Sequence, residues 1–149
     1  MVLDSIEEYL SMINNKELES RLQERDIRPT AIRLLVLKEM LSTDRAYSLL
    51  DLETRLDTVD KSTIFRTITH FHEQQLIHSI DDGSGSIKYS VCKRGCDCSL
   101  RASHVHFSCE KCNKVVCFED LAIPKVELPD GFTYTNATFV FKGVCDECS

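Results

Sequence analysis

Two Cys-x2-Cys pairs near the end of the chain constrain its fold more than any other feature. They are Cys109-Glu-Lys-Cys112 and Cys145-Asp-Glu-Cys148. Each pair predicts a knuckle whose two thiolates converge on one cation, and two knuckles together make a closed tetrahedral site with four sulfur ligands. Because the pairs lie far apart in the sequence, such a site would join distant strands and couple folding to metal binding. We therefore predict structural Zn²⁺ here, with a redox-active dithiol as the alternative.

The position of the cysteines also divides the chain. All eight cysteines of the 149-residue sequence lie at or after Cys92. The N-terminal segment MVLDSIEEYLSMINN is acidic and lacks a basic region followed by an apolar block, which argues against a secretory signal. No apolar run is long enough for a transmembrane helix. We therefore expect a cytoplasmic protein without a membrane partner, whose cysteines bind metal or take part in redox chemistry.

The net charge argues against one class of protein, the strongly basic nucleic-acid binders. The chain carries a formal net charge of -6, so it is not a strongly basic nucleic-acid binder. The acidic residues are unevenly spread, however, because the stretch 16–66 contains equal numbers of basic and acidic residues. A local basic face is therefore still compatible with this stretch.

The first half of the sequence has the pattern of a winged helix-turn-helix. Apolar periodicity predicts helices over 15–27, 28–42, 48–56 and 61–74. The expected inward residues are Ile32, Leu35, Val36 and Met40 on the second helix and Ile64, Ile68 and Phe71 on the fourth. Ser48 is expected to cap the third helix, and either Asp60 or Ser62 the fourth. The β-rich runs LIHSI and IKYSV follow, separated by the turn-forming stretch DDGSGS, and they predict a hairpin. The fourth helix would then be the recognition helix, and the hairpin the wing.

The sequence pattern of the C-terminal part predicts β-strands. HVHFSC, KVVCF and FTYTNATFVFKGVC have β-like patterns, whereas EDLAIPKVELPDGF contains two prolines and does not predict a helix. His104 and His106 alternate along the first of these runs, so their side chains would lie on one side of the strand. Cys109 would lie on the other side, which allows one strand to serve two metals. Two surface histidines are the alternative reading.

The motifs, taken in this order, resemble the ferric uptake regulator family of metal-responsive repressors. The matching segments are LQERDIRPTAIRLLVLKEML, DKSTIFRTITHFHEQQLIH, KYSV, HVHFSCEKC and the final Cys-x2-Cys. The resemblance implies an α+β protein with an N-terminal winged helix-turn-helix domain and a small C-terminal α/β dimerisation domain that carries the four-cysteine zinc site. The expected limits are 1–91 for the DNA-binding domain, 92–103 for a Cys-rich hinge loop and 104–149 for the dimerisation and metal-binding domain.

The resemblance also implies a regulatory metal at the hinge. Iron-type members commonly use a His where Ala46 stands and a Glu where Ser90 stands, whereas zinc uptake regulators are a better match. The implied regulatory ligands are His78, Cys92, His104 and His106, with Cys96, Cys98, Cys117 and Glu119 as further candidates. Because thiolate and imidazole ligands in a tetrahedral set suit Zn²⁺, we favour Zn²⁺ over Fe²⁺ as this second divalent metal.

The implied partners are double-stranded operator DNA and a second copy of the chain. Residues of the recognition helix and the motif before the second helix are the expected DNA contacts: Lys61, Ser62, Thr63, Phe65, Arg66, Thr67 and Arg28. Phe65 stands where the family usually has Tyr, and it would contact a thymine methyl group or, alternatively, belong to the core.

The prediction is therefore a metal-dependent, zinc-responsive DNA-binding repressor of metal-uptake genes. An iron- or peroxide-responsive repressor of the same family is one alternative, and a thiol redox-switch protein without DNA binding is another. We expect no enzyme and no organic small-molecule substrate, because a closed thiol-rich site has no open coordination position and no His-x-Glu or His-Glu-x-x-His sequence occurs.

Overall fold

The computed structural model describes residues 14–43, 45–92, 105–118, 120–135 and 137–149. This part of the chain begins with helices and ends with strands. Its elements are α1 Asn15–Gln23, α2 Ala31–Leu41, β1 Tyr47–Ser48, α3 Leu49–Arg55, α4 Lys61–Glu73, β2 Ile77–Ile80, β3 Lys88–Val91, β4 Val105–Cys109, β5 Val115–Phe118 and β6 Phe139–Gly143.

Each of these helices begins after a polar residue that caps it. The side chains of Asn14, Thr30, Ser48 and Asp60 accept a hydrogen bond from a backbone N–H of the first turn that follows. Such bonds satisfy donors that have no partner within the helix. The predicted cap at Ser48 is confirmed, and at the start of α4 the cap is Asp60 rather than Ser62.

The helices enclose one apolar core. On α4, the predicted inward residues Ile64, Ile68 and Phe71 are buried, as expected from their helical spacing. On α2 the buried residues include Leu37, whereas Leu35, which the periodicity placed inward, is exposed. The core also contains Leu18, Leu22, Ile27, Val36, Met40, Tyr47, Leu52, Leu56, Leu76 and Ile77.

The predicted wing is present and is completed by a third strand. β2 and β3 pair antiparallel, and β1 pairs with the other edge of β3, which gives the order β1-β3-β2. The two-residue strand β1 is too short for a periodicity signal, so the sequence did not predict it. Helices α3 and α4 precede this hairpin and form the helix-turn-helix.

The C-terminal sheet has the order β5-β4-β6. β4 and β5 form an antiparallel hairpin that closes through the first cysteine knuckle, and β6 returns parallel to β4. Residues 120–135 form no helix, in agreement with the two prolines of this stretch. No helix among the residues described is long and apolar enough to cross a membrane. The proposed limits of the domains and of the hinge loop remain predictions.

The two sheets meet along one side of the wing. The backbone N–H of Ala46, just before β1, donates to the carbonyl of Val115 on β5 over 3.1 Å. Arg45 forms an ion pair with Glu147 of the second knuckle over 3.3 Å. The residues at this junction therefore come from segments that are far apart in the sequence.

Candidate metal centres

The four-cysteine cluster consists of Cys109, Cys112, Cys145 and Cys148. Their sulfur atoms all lie within 4.8 Å of one another, and the sulfurs of Cys112 and Cys145 are 3.8 Å apart. Cys109 ends β4, and the knuckle turns back through Asn113, which has a positive φ of 59°. The predicted joining of two distant knuckles is therefore present.

The hydrogen bonds of the four-cysteine cluster suit a bound cation. Backbone hydrogen bonds from Cys112 and Cys145 lower the pKa of the Cys109 thiol to about 6. By contrast, hydrogen bonds with the sulfurs of Cys145 and Cys112 raise the pKa of Cys148 to about 12. The sulfurs are too close to ionise together unless a positive charge lies between them. This donor set fits a tetrahedral structural zinc ion.

A second group of ligands lies at the junction of the wing and the C-terminal sheet. We call His78, Cys92, His106 and Cys117 the hinge cluster. One ring nitrogen of His78, Nδ1, is 3.3 Å from the sulfur of Cys92, and the other, Nε2, is 3.1 Å from the sulfur of Cys117. The rings of His78 and His106 have centroids 5.5 Å apart. One ligand atom each from His78, His106 and Cys117 lies within 4.8 Å of the others.

The strands explain why these side chains meet. His106 on β4 and Cys117 on β5 are directly opposite in the antiparallel register, so their side chains share one face of the sheet. His78 lies on β2, opposite Ser90 of β3, and Cys92 follows β3, where its N–H donates to the carbonyl of Leu76 over 3.0 Å. The cluster thus combines two ligands from the wing with two from the C-terminal sheet.

The hinge cluster is shielded from solvent. Cys92 is 4% exposed and His106 is 5% exposed, whereas His78 and Cys117 are half-buried. Cys92 is disulfide-bonded in this structure, so its sulfur must be reduced before it can serve as a thiolate ligand. Two imidazole nitrogens and two sulfurs form a donor set of the kind that zinc binds tetrahedrally.

The structure brings together three of the four regulatory ligands that the family resemblance implies. His78, Cys92 and His106 meet, whereas His104 lies outside the described residues. Among the further candidates, Cys117 lies in the hinge cluster, and Cys96, Cys98 and Glu119 also lie outside the described residues. The tight knuckle after β4 was the signal that would have placed Cys117, because it sets the register that puts this residue opposite His106.

The exposed face of α4 carries most of the expected DNA contacts. Phe65 is 55% exposed, so it is not part of the core. Lys61 and Arg66 are also exposed. Thr63 is half-buried, and Arg66 donates to its hydroxyl over 3.4 Å. These residues form a polar and aromatic surface on the side of the helix away from Ile64.

Two of the expected contacts have other partners. Thr67 is buried, and its hydroxyl donates to the carbonyl of Thr63 over 2.8 Å, so it faces the core. We therefore leave Thr67 out of the DNA-facing surface. Ser62 is exposed, but its hydroxyl donates to the Asp60 carboxylate, and this bond is the main cause of the lowered pKa of Asp60. Arg28 is exposed just before the cap of α2.

Comparison with solved structures shows the fold. A zinc uptake regulator complexed with zinc and DNA is similar to this chain with a TM-score of 0.61 at 20% identity, covering 95% of this chain and 93% of that one. The ferric uptake regulator of Vibrio cholerae has a TM-score of 0.56 at 17% identity, covering 85% and 98%. The chain thus shares the fold of these two solved structures.

Comparison of sequences shows the family. The ferric uptake regulation protein of Campylobacter jejuni subsp. jejuni is 23% identical over 159 residues, which cover 100% of this chain and 95% of that protein. The sequence model of the ferric uptake regulator family matches residues 24–131, well over half of the chain. Because this match runs from the end of α1 through the winged helix and past the first knuckle, the chain belongs to the ferric uptake regulator family.

Proposed function

We propose that this chain is a zinc-responsive repressor that binds operator DNA as a homodimer and regulates metal-uptake genes. One observation carries the proposal: the hinge cluster draws His78 and Cys92 from the wing and His106 and Cys117 from the C-terminal sheet. A cation held by these four residues would couple the placement of the DNA-reading helix to metal availability. A metal bound within one domain alone would not have this effect.

The donor set favours zinc over iron at the hinge cluster. Two thiolates and two imidazoles suit tetrahedral Zn²⁺, whereas Fe²⁺ sites are richer in oxygen ligands. The similarity to a zinc uptake regulator complexed with zinc and DNA supports this assignment. The Campylobacter relative, a ferric uptake regulation protein, supports the alternative of an iron-responsive repressor. Binding assays with each metal distinguish the two.

The ligand residues act by restricting the arrangement of the two domains. Without the metal, the contact between wing and C-terminal sheet depends on the protein's own bonds. When bound, the metal supplies four bonds that hold His78 and Cys92 close to His106 and Cys117. Such binding shifts the population toward one placement of α4, and the shift is limited by the difference in metal affinity between the arrangements.

The exposed side of α4 then contacts the DNA duplex. Lys61 and Arg66 contact phosphates of the DNA, and these contacts fix the register of the protein on the duplex. Arg28 also contacts the sugar-phosphate backbone of the DNA. Phe65 presents an exposed ring that suits contact with a thymine methyl group, since it has no hydroxyl to donate. Ser62 and Thr63 lie at the start of α4, where their hydroxyls can reach bases or phosphates.

A second copy of the chain is the expected partner of the C-terminal domain. This small domain exposes several large apolar side chains, which favour burial against another surface. They are Leu121, Val126, Phe132, Tyr134, Phe141 and Val144. A homodimer would present two recognition helices to a pseudo-palindromic operator.

The test is a gel-shift titration of operator-containing DNA with protein reduced by dithiothreitol. We expect Zn²⁺ to raise the DNA affinity at least several-fold, and a chelator to reverse the effect. The same affinity with and without the metal would contradict the proposal. A larger response to Fe²⁺ than to Zn²⁺ would favour the iron-responsive alternative instead.

The disulfide at Cys92 is compatible with the alternative function of a thiol redox switch. A thiol switch without DNA binding would change its thiol count on mild oxidation and bind no operator under any condition. For a zinc-responsive repressor, by contrast, reduction of Cys92 is a precondition for binding metal at the hinge. Thiol counting, paired with the gel shift on the same samples, separates the two functions.

A further inference from the structure

The turn of the wing contains a buried carboxylate that the metal centres do not use. The side chain of Asp82 is only 3% exposed and forms an ion pair with Lys88 over 2.6 Å. Its other oxygen accepts a hydrogen bond from the backbone N–H of Ser84 over 3.0 Å. A third donor comes from the C-terminal sheet, because the hydroxyl of Ser108 donates to Asp82 over 3.3 Å. The carboxylate thus connects the wing to β4.

Asp82 is held in its charged form. Burial by itself would raise its pKa, but the hydrogen bonds from Lys88 and Ser84 outweigh burial and hold the pKa well below its usual range. Lys88 is also largely buried, at 12% exposed. A buried ion pair is stable only when its remaining hydrogen-bonding positions are satisfied, and Ser108 satisfies one of them.

The position of Ser108 relates this contact to the hinge cluster. Ser108 follows His106 by two positions on β4, so both side chains lie on the same face of the strand. Asp82 follows His78 past the end of β2. The wing therefore meets β4 at two points, one where His78 faces His106 and one where Asp82 accepts from Ser108.

A close approach between the wing turn and β6 supports the docking of the wing on the C-terminal sheet. Gly83 follows Asp82 with a positive φ of 77°, and a Cβ at this glycine would lie 3.2 Å from the ammonium nitrogen of Lys142 on β6. The wing turn thus packs near two strands of the C-terminal sheet. Unlike a basic wing that contacts phosphates, this acidic turn contacts the protein's own second domain.

We propose that the Asp82–Ser108 hydrogen bond is a metal-independent contact that holds the wing on the C-terminal sheet and positions His78 for the hinge cluster. Asp82 and Ser108 are positioning residues, since neither is a ligand of that cluster. The first half of the proposal concerns the protein without hinge metal. The second half, which concerns metal affinity, rests on the proposed function.

The variant Ser108→Ala tests the contact with little disturbance of the wing, because the Asp82–Lys88 pair stays intact. The readout is hydrogen exchange at the Ala46 amide, which donates to Val115 across the same junction. Protein with zinc in the four-cysteine cluster alone is compared with wild type. Ser108→Thr keeps the hydroxyl and serves as the rescue variant, and Ser86→Ala, at an exposed serine of the same turn, is the matched control.

For Ser108→Ala we expect exchange at Ala46 to accelerate roughly ten- to a hundredfold, as follows from the loss of one hydrogen bond to a charged group. Zn²⁺ affinity of the hinge cluster, measured by competition with a chromophoric chelator, should fall by a similar factor. Ser108→Thr should restore both values, and Ser86→Ala should leave both unchanged. Thermal unfolding of the helical domain should be the same in all four proteins, which separates positioning from a general loss of stability.

Unchanged exchange at Ala46 in Ser108→Ala would overturn the proposal, and so would equal acceleration in Ser86→Ala. Faster exchange with unchanged Zn²⁺ affinity would overturn its second half, because His78 would then reach the cluster without help from this contact. A wild-type protein without metal-dependent DNA binding would instead contradict the proposed function. The exchange measurement needs neither DNA nor hinge metal, so the two failures are distinguishable.

Discussion

At the scale of single residues, the hinge cluster depends on Cys117, whose role its own neighbourhood in the sequence does not reveal. Within the segment KVVCF, the pattern predicts that Cys117 is a small buried hydrophobic residue. Its sulfur is nevertheless 3.1 Å from His78, and it lies opposite His106 in the sheet. A thiol placed between imidazoles from the two sheets is well suited to bind a metal, and poorly explained by packing alone.

Replacing Cys117 by Ser should abolish the metal response and leave the fold intact. The hinge cluster would lose one thiolate, so its Zn²⁺ affinity should fall by at least about tenfold. Metal analysis should then find zinc in the four-cysteine cluster alone, with an unchanged circular dichroism spectrum. In the comparison variant Cys109→Ser, the C-terminal domain should unfold, because a ligand of the structural site is lost. Two tightly bound zinc ions in Cys117→Ser would refute its role as a ligand.

Phe65 gives a second test at the scale of residues, because its replacement should change operator binding without changing the stability of the fold. Phe65→Ala should weaken operator binding several-fold and change the free energy of unfolding by no more than about 0.5 kcal/mol, because the ring is exposed. The adjacent variant Ile64→Ala removes a fully buried side chain and should cost about 2–5 kcal/mol. Gel shifts and urea unfolding measure the two effects. Full operator affinity in Phe65→Ala would exclude this residue from the interface.

At the scale of elements, short polar signals decide where the helix-turn-helix begins. The Ser48 hydroxyl accepts from the N–H of Asp51, and the Asp51 carboxylate accepts from the N–H of Ser48. This reciprocal pair closes the start of α3, a helix of only seven residues that buries Leu52. Such a short helix has little stability of its own, so its cap and its packing together determine whether it forms.

Ser48→Ala should therefore destabilise the winged helix by about 1 kcal/mol, the usual effect of losing an N-cap. Thr54→Ala, at an exposed position of the same helix, should have almost no effect. Differential scanning calorimetry of both variants gives the comparison. Equal melting temperatures for the two variants would mean that packing, and not the cap, maintains α3.

At the scale of the whole molecule, the two candidate metal centres occupy different places in the fold. The four-cysteine cluster lies wholly within the C-terminal part, whereas the hinge cluster spans the junction. The Asp82 contact spans the same junction without metal. Because the pKa of Asp82 is lowered, its contribution to stability is fully present above the pKa of an unfolded Asp, about 3.9, and is lost as pH falls below that.

The two kinds of contact should consequently differ in their response to acid. Metal binding requires thiolates and neutral imidazoles, so the Zn²⁺ affinity of the hinge cluster should fall as pH is lowered from about 8 to 5. The factor by which Ser108→Ala accelerates exchange at Ala46, measured without hinge metal, should stay constant over that range, since Asp82 remains charged throughout and protonation of His78 and His106 affects both proteins alike. Zinc competition assays and hydrogen exchange provide the two curves. Parallel loss of both would mean that the wing has no metal-independent contact.

Local patterns in the sequence were sufficient for much of this protein. The helix cap at Ser48, the inward face of α4 and the two cysteine knuckles all follow from residues within a few positions of one another. Backbone hydrogen bonding and side-chain periodicity act over that range, so the sequence determines these features by itself. The winged-helix order and the four-cysteine cluster were predicted for this reason.

Only the tertiary structure decided which residues share the hinge cluster and what fixes the wing. Cys117 meets His78 because the knuckle sets the register of β5 against β4, and because the sheet then docks on the wing. Asp82 becomes a buried contact only when β4 supplies Ser108. Each of these outcomes depends on packing between elements distant in sequence, which no local pattern encodes.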